Sequence, residues 1–343
     1  MAIRSEFIKT YRDRWNGLVA SARLVFPGLT LSATIALAAA YLSEHYGGPA
    51  MLFALLLGIA FNYLAESITT GPGIQFSSRT ILRIGIALLG ARITWGEVQN
   101  LGIETVGLVI GGVVITLTIG TVIARVLKLP RDFAILSAGA VAICGASAAL
   151  AISSVLAHND DSERHTILTV IGVTTLSTLA MMIYPLLATV LDFDDKSAGI
   201  FVGATIHDVA QVVGAGYTIS TEAGDTSTIV KLLRVSCLLP AVVAIGFTTR
   251  RSKTVPTQRV PLLPMFLVAF MMLVAANSFG LIGPDMAATM STISRWSLLC
   301  AVSALGIRTS IGSLAVVGPR PLIAMVLQTV LLAGFVITAL LIL

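Results

Sequence analysis

The chain has 343 residues, 56% of them hydrophobic and only 11% charged, with a mean hydropathy of +0.93. That balance excludes one large water-soluble core and indicates a polytopic membrane protein. The net charge of +5 does not point to nucleic acid, because the basic residues are scattered between apolar runs and form no stripe interleaved with aromatics.

In chain order, residues 1–24 form a basic segment placed on the cytoplasmic side, and 25–343 read as one transmembrane domain. The apolar run from Val25 to Leu42 is long for a signal sequence and lacks a cleavage site, so it is taken as a retained first helix. At about 20 apolar residues per crossing, spans fall near 25–42, 49–64, 79–95, 103–124, 132–157, 165–190, 197–218, 228–248, 262–280, 288–309 and 319–343. The expected fold is therefore all-α and polytopic, with about eleven transmembrane helices. With the N-terminus inside, sixteen of the 22 basic residues lie in inner connections, among them Arg79, Arg125, Lys128, Arg131, Lys196, Arg308 and Arg320. The C-terminus then faces the periplasm or exterior.

Sliding the sequence by 216 residues aligns Ser78–Val98 with Ser294–Leu314 and gives seven identities in 21 positions, including Arg79/Arg295, Gly90/Gly306 and Arg92/Arg308. Chance in this composition gives about two. A shift of 215 extends the match through Pro49/Pro264 and Asn62/Asn277. The copies, about 49–127 and 264–343, lie seven spans apart, and an odd displacement inverts the second. Inverted repeats are a common build of secondary transporters. Asn62 and Asn277 become candidates for a site near the two-fold axis, or simple interhelical hydrogen bonds.

Two spans differ from ordinary lipid-facing helices. Span five, Ser137–Ser154, is dense in Gly, Ala and Ser around Cys144, Gly145 and Ser147. A break there frees a helix N-terminus, which binds anions; the alternative is a continuous, tightly packed helix. Span seven, GATIHDVAQVVGAG, sets His207, Asp208 and Gln211 on one helical face between glycines. An ionisable residue within a span is a functional-site candidate, so Asp208 and His207 are candidate carriers of a coupling proton or sodium ion. Alternatively, Asp208 stays ionised against a cation while His207 bonds a carbonyl. Lys231 and Arg234, three apart at the start of span eight, can neutralise Asp208, face an anion, or snorkel to the interface. The Thr/Ser face of span six, Thr174 to Thr178, either lines a polar path or bonds back to its own helix.

Cys144, Cys237 and Cys300 show no disulfide or zinc spacing, and no Walker, HExxH or dinucleotide motif is present, so no cofactor and no ATP-driven step is expected.

The combination of LLGARITWGEV, AICGASAALAI, GATIHDVAQVVGAG, KLLRV and SALGIRTSIGSL resembles the YeiH-type family of bacterial inner-membrane proteins, which carry a sulfate-exporter label. The resemblance runs from about Pro49 to Arg320. It implies the fold of the sodium/proton antiporter and bile-acid-transporter superfamily, with two interrupted helices crossing at mid-membrane, and a homodimer. It implies a secondary transporter or exporter of a small anion, with Cys144 to Ser147 and His207 to Gln211 as motif positions. Arg234 joins them as a substrate-binding candidate. In that superfamily each unit ends with its own crossover helix, whereas here none follows the second repeat, so the second unit is permuted or the count between spans five and seven differs. A passive anion channel of the same fold is the alternative, and an intramembrane serine protease using Ser147 and His207 is a third.

Overall fold

The computed structural model describes residues 2–156, 161–248, 265–309 and 317–342. The basic cluster Arg250 to Arg259, His158 and the repeat positions Gly312 and Leu314 lie outside them. Every regular element among the described residues is helical: α1 (Ala2–Tyr46), α2 (Ala50–Ala60), α3 (Gly71–Phe76), α4 (Leu82–Leu89), α5 (Trp95–Asn100), α6 (Gly102–Val126), α7 (Arg131–Ala142), α8 (Ala146–Ser153), α9 (Ser162–Val190), α10 (Asp195–Thr205), α11 (Val209–Ile219), α12 (Thr221–Ser236), α13 (Leu238–Thr248), α14 (Met265–Ser278), α15 (Pro284–Ile307) and α16 (Pro319–Ile342). Among the described residues six stretches are long and apolar enough to cross a bilayer: Ala22–Tyr46, α6, α9, Thr221–Phe247, α15 and α16. The chain forms two compact units, Met1–Gly85 with Trp296–Thr309, and Ile86–Arg295 with Ser310–Leu343.

In the first unit helices approach through glycine. A Cβ on Gly28 or Gly73 would collide with the other's backbone, and one on Gly306 would sit 2.9 Å from Gly58 Cα and clash with the Leu55 carbonyl. Ile35, Ile74, Ala304 and Ile307 make the buried core beside these crossings.

In the second unit, span five is broken, one of its two alternatives, and span seven is broken as the resemblance implies, so that His207 and Asp208 lie in a turn and do not share a helical face with Gln211; neither span runs on in the same direction. A Cβ on Gly139 of α7 would collide with Ile152 of α8, although on a straight helix the two would lie about 20 Å apart. Likewise Gly199 of α10 and Gly216 of α11 both abut the Ala223 carbonyl, where a straight helix would separate them by about 25 Å. Each span is therefore a helical hairpin that doubles back at its break, not a crossing helix. Gly145, at φ +63 and ψ −121, makes the first turn in a conformation that side chains resist. The second turn is made by Ile206, His207 and Asp208, whose carboxylate caps α11 by accepting from Ala210 N–H at 2.8 Å.

Pro185 is accommodated inside α9, whereas the α12/α13 break at Cys237 comes three residues before Pro240.

A methyl group at Gly306 must displace backbone, so Gly306→Ala is expected to destabilise the protein by about 1–3 kcal/mol. Gly334, with open space around it in α16, should tolerate alanine or gain about 0.5–1 kcal/mol. Melting of the purified variants distinguishes the two sites.

Candidate functional site

The ends of α7 and α10 point their last carbonyls into the protein interior, where no water can satisfy them. Lys231 and Arg234, one turn apart on α12 and both fully buried, meet them. Lys231 Nζ donates to the carbonyls of Ile143 and Ile206, both at 2.8 Å. Arg234 donates from Nε to Ala142 at 2.6 Å and from Nη1 to Ala204 at 2.9 Å and Ile206 at 3.1 Å; Nη2 donates to Val141. Two cations thus sit at the negative ends of two helices. Neither snorkels to an interface, and the hydrogen bonds of both run to carbonyls, not to Asp208.

The two turns also touch directly, a Cβ on Gly145 lying 3.5 Å from His207 Cβ. On the far side α9 holds the second turn. Ser177 Oγ accepts from the amides of His207 at 3.1 Å and Asp208 at 3.0 Å, and Gln211 Nε2 donates to Thr178 Oγ1 at 2.7 Å. Of the two alternatives for the Thr/Ser face of α9, the bond back to its own helix is the one seen, at Thr175 and Thr178. His207 Nε2 lies 3.0 Å from Thr329 Oγ1 on α16. The Thr329 hydroxyl also donates to Met325 O at 2.8 Å. His207 Nδ1 and Gln211 Oε1, both buried, have no hydrogen-bond partner among the described residues.

The turns bring together Cys144, Gly145, His207, Lys231 and Arg234, with Asp208 half-buried and Gln211 one turn further along. Cys144 is buried, while Ser147 is exposed in the first turn of α8. Because His207 Nε2 is taken by Thr329 and Nδ1 is unpartnered, no Ser147–His207 dyad is formed. Ser177 and Thr178 belong to the Thr/Ser face of span six, and Thr329 is the contributor that the sequence did not single out. Thr329 in VLQTVLL carries no signal of its role.

The hydrogen bonds of Asn62 and Asn277 run to backbone carbonyls outside these turns. Asn62 Nδ2 donates to the carbonyls of Ile307 at 2.7 Å and Thr309 at 2.9 Å within the first unit, and Asn277 Nδ2 to that of Ile93 at 3.2 Å within the second. Both therefore serve as helix-to-backbone ties.

The family described as "Conserved hypothetical protein 698" matches residues 27–325. The UPF0324 membrane protein CT0845 of Chlorobaculum tepidum is 48% identical over 315 residues, covering 91% of this chain and 88% of that protein. The UPF0324 membrane protein TauZ of Paracoccus pantotrophus is 48% identical over 315 residues, covering 91% and 93%. The chain belongs to this family of membrane proteins. The family is consistent with the YeiH-type resemblance, and the names of these relatives carry no enzymatic activity. A third member, RB0971 of Rhizobium meliloti, is 48% identical over 318 residues and 91% of each chain. No solved structure gives a significant match.

Arg234→Ala leaves carbonyls of both hairpins without donors, at about 1–3 kcal/mol each, so a large fall in melting temperature is expected. Arg234→Lys should recover part of it, and an unchanged melt in Arg234→Ala would remove the arginine from the structure's supports.

At the entrance to the second hairpin, hydrogen bonds from Ser197 hold the Asp194 carboxyl below the ordinary carboxylate range. Asp194→Ala is expected to cost about 1 kcal/mol near neutral pH. A lowered folded value means the stabilisation is present above the unfolded pKa and lost as pH falls through the folded one, so wild-type and variant melts should converge in acid.

Proposed function

We propose that the chain is a secondary transporter or exporter of a small anion, a sulfate-like oxyanion or an organosulfonate, in the bacterial inner membrane. The observation that carries this is the meeting of two helical hairpins turn to turn, with cations behind the turns and the unpartnered atoms of His207 and Gln211 beside them. Broken helices facing one another in a bilayer are where transporters bind substrates and ions. In this scheme the anion meets the freed N-terminus of α8 at Gly145 and Ser147, with Cys144, His207 and Gln211 around it. Arg234 and Lys231 contribute positive potential through the carbonyls they hold. Asp208, with His207, carries the coupling proton or sodium ion.

Two further features support it. If both hairpins are re-entrant, the eleven apolar spans make nine crossings, an odd number that keeps the N-terminus inside and the C-terminus outside. Because α9 crosses between them, the hairpins enter from opposite faces. Arg164 and Lys196 then exchange sides, leaving the positive-inside bias unchanged. The repeat offset also recurs in geometry. Gly306 abuts the carbonyl of Leu55 as Gly90 abuts that of Phe270, Asn62 bonds Thr309 as Asn277 bonds Ile93, and Gly102 and Gly318 share a positive φ at the heads of α6 and α16. These pairs fit an inverted repeat and alternating access.

Asp208→Asn retains a capping oxygen, so the protein should fold with its melting temperature unchanged. Gradient-driven uptake of labelled sulfate or a short organosulfonate into proteoliposomes should nevertheless fall at least tenfold. Equal flux with equal pH dependence would take Asp208 out of coupling, and wild-type vesicles that move none of these anions would remove the transporter itself.

Opposed hairpins make a separate prediction. In a cysteine-free background, Thr221→Cys should react with an impermeant maleimide in intact spheroplasts and Asp161→Cys only after lysis. Equal labelling of both would place the hairpins on the same face.

A further inference from the structure

Where the second hairpin starts and ends, the second unit has a half-open cleft of about 460 Å³. Four charged side chains line it: Arg92, Lys196, Glu222 and Asp225. Two of them cancel, because Arg92 forms an ion pair with Asp225. The other oxygen of Asp225 accepts from Tyr217 OH at 2.5 Å, which fixes that carboxylate in place. The remaining two are of opposite sign and form no ion pair with any described residue. Lys196 spends one of its three hydrogens on the Asn100 carbonyl, at 2.8 Å, and Glu222 stands exposed in the first turn of α12. They stand on facing helices, since α10 meets α12 where Gly199 abuts Ala223 and Thr226. Ile93, Leu101 and Ile229 give the cleft an apolar wall.

A bare anion drawn to Lys196 would meet Glu222, and a bare cation the reverse. A molecule with both charges joined by a short methylene linker satisfies the two and lays its linker on the apolar wall. We propose that this cleft binds a small zwitterion, its anionic group on Lys196 and its ammonium on Glu222, as the outer docking place of the transport pathway. Its purpose as a vestibule rests on the transporter proposed above, and that function is thereby deepened to substrates bearing an amine as well as an acid group.

Titration calorimetry of the full chain in detergent tests it with taurine and β-alanine against sulfate, acetate and ethylamine. The zwitterions should bind at least tenfold more tightly than any of the three bare ions. Lys196→Gln and Glu222→Gln should each weaken them at least tenfold with the melting temperature unchanged. The exchange Lys196→Glu with Glu222→Lys should restore most of the binding, which a merely structural role for either residue would not. Sulfate binding as tightly as taurine, or no zwitterion binding at all, would overturn the proposal, whereas tighter sulfate binding in Glu222→Gln is the result expected once the repelling carboxylate is gone. Flux in proteoliposomes separates the two claims. Zwitterion binding that depends on both residues, without transport of any solute, leaves the cleft and removes the transporter; transport indifferent to both residues does the opposite.

Discussion

A helix broken inside an apolar interior exposes carbonyls that nothing nearby can satisfy, at about 1–3 kcal/mol for each one left unpaired. Here the two breaks are placed so that one lysine and one arginine on α12 serve both, through six hydrogen bonds to Val141, Ala142, Ile143, Ala204 and Ile206. The dependence is mutual. Two adjacent buried cations would repel one another, and the oxygen atoms and negative helix ends around them supply the opposing potential that a carboxylate would otherwise provide. The hairpins, their turns and the polar groups around them are all positioned by this exchange.

Much of this was legible in the residues. Small side chains around Cys144 offer the first break, the family resemblance implies the second where the residues alone read as one helical face, and the register of Asn62 with Asn277 emerges from a simple offset. The direction of the chain after each break was not legible. A hairpin of 23 to 25 residues is as long and apolar as a crossing helix, and what distinguishes them is contact between Gly139 and Ile152, or between Gly199, Gly216 and Ala223. For the same reason the sequence offers Lys231 a carboxylate, an anion or the interface as its place, and not the carbonyls of Ile143 and Ile206 that it meets. A carboxylate is visible in a sequence as a partner, whereas a backbone carbonyl is present at every position and distinguishes none.

The order of the segments follows two different offsets. Asn62 and Asn277, with their carbonyl partners Thr309 and Ile93, are separated by 215 or 216 positions, while Ile143 and Ile206, which share Lys231, are separated by 63.

One oxygen atom, Ser177 Oγ, receives two consecutive amides at the tip of the second hairpin. A lone bond to a hydroxyl lets a loop pivot about it. Two bonds from neighbouring peptide units fix both position and heading, so the tip cannot slip along α9 without breaking them together. Whatever displacement the molecule undergoes, α9 and that tip behave as carriage and freight.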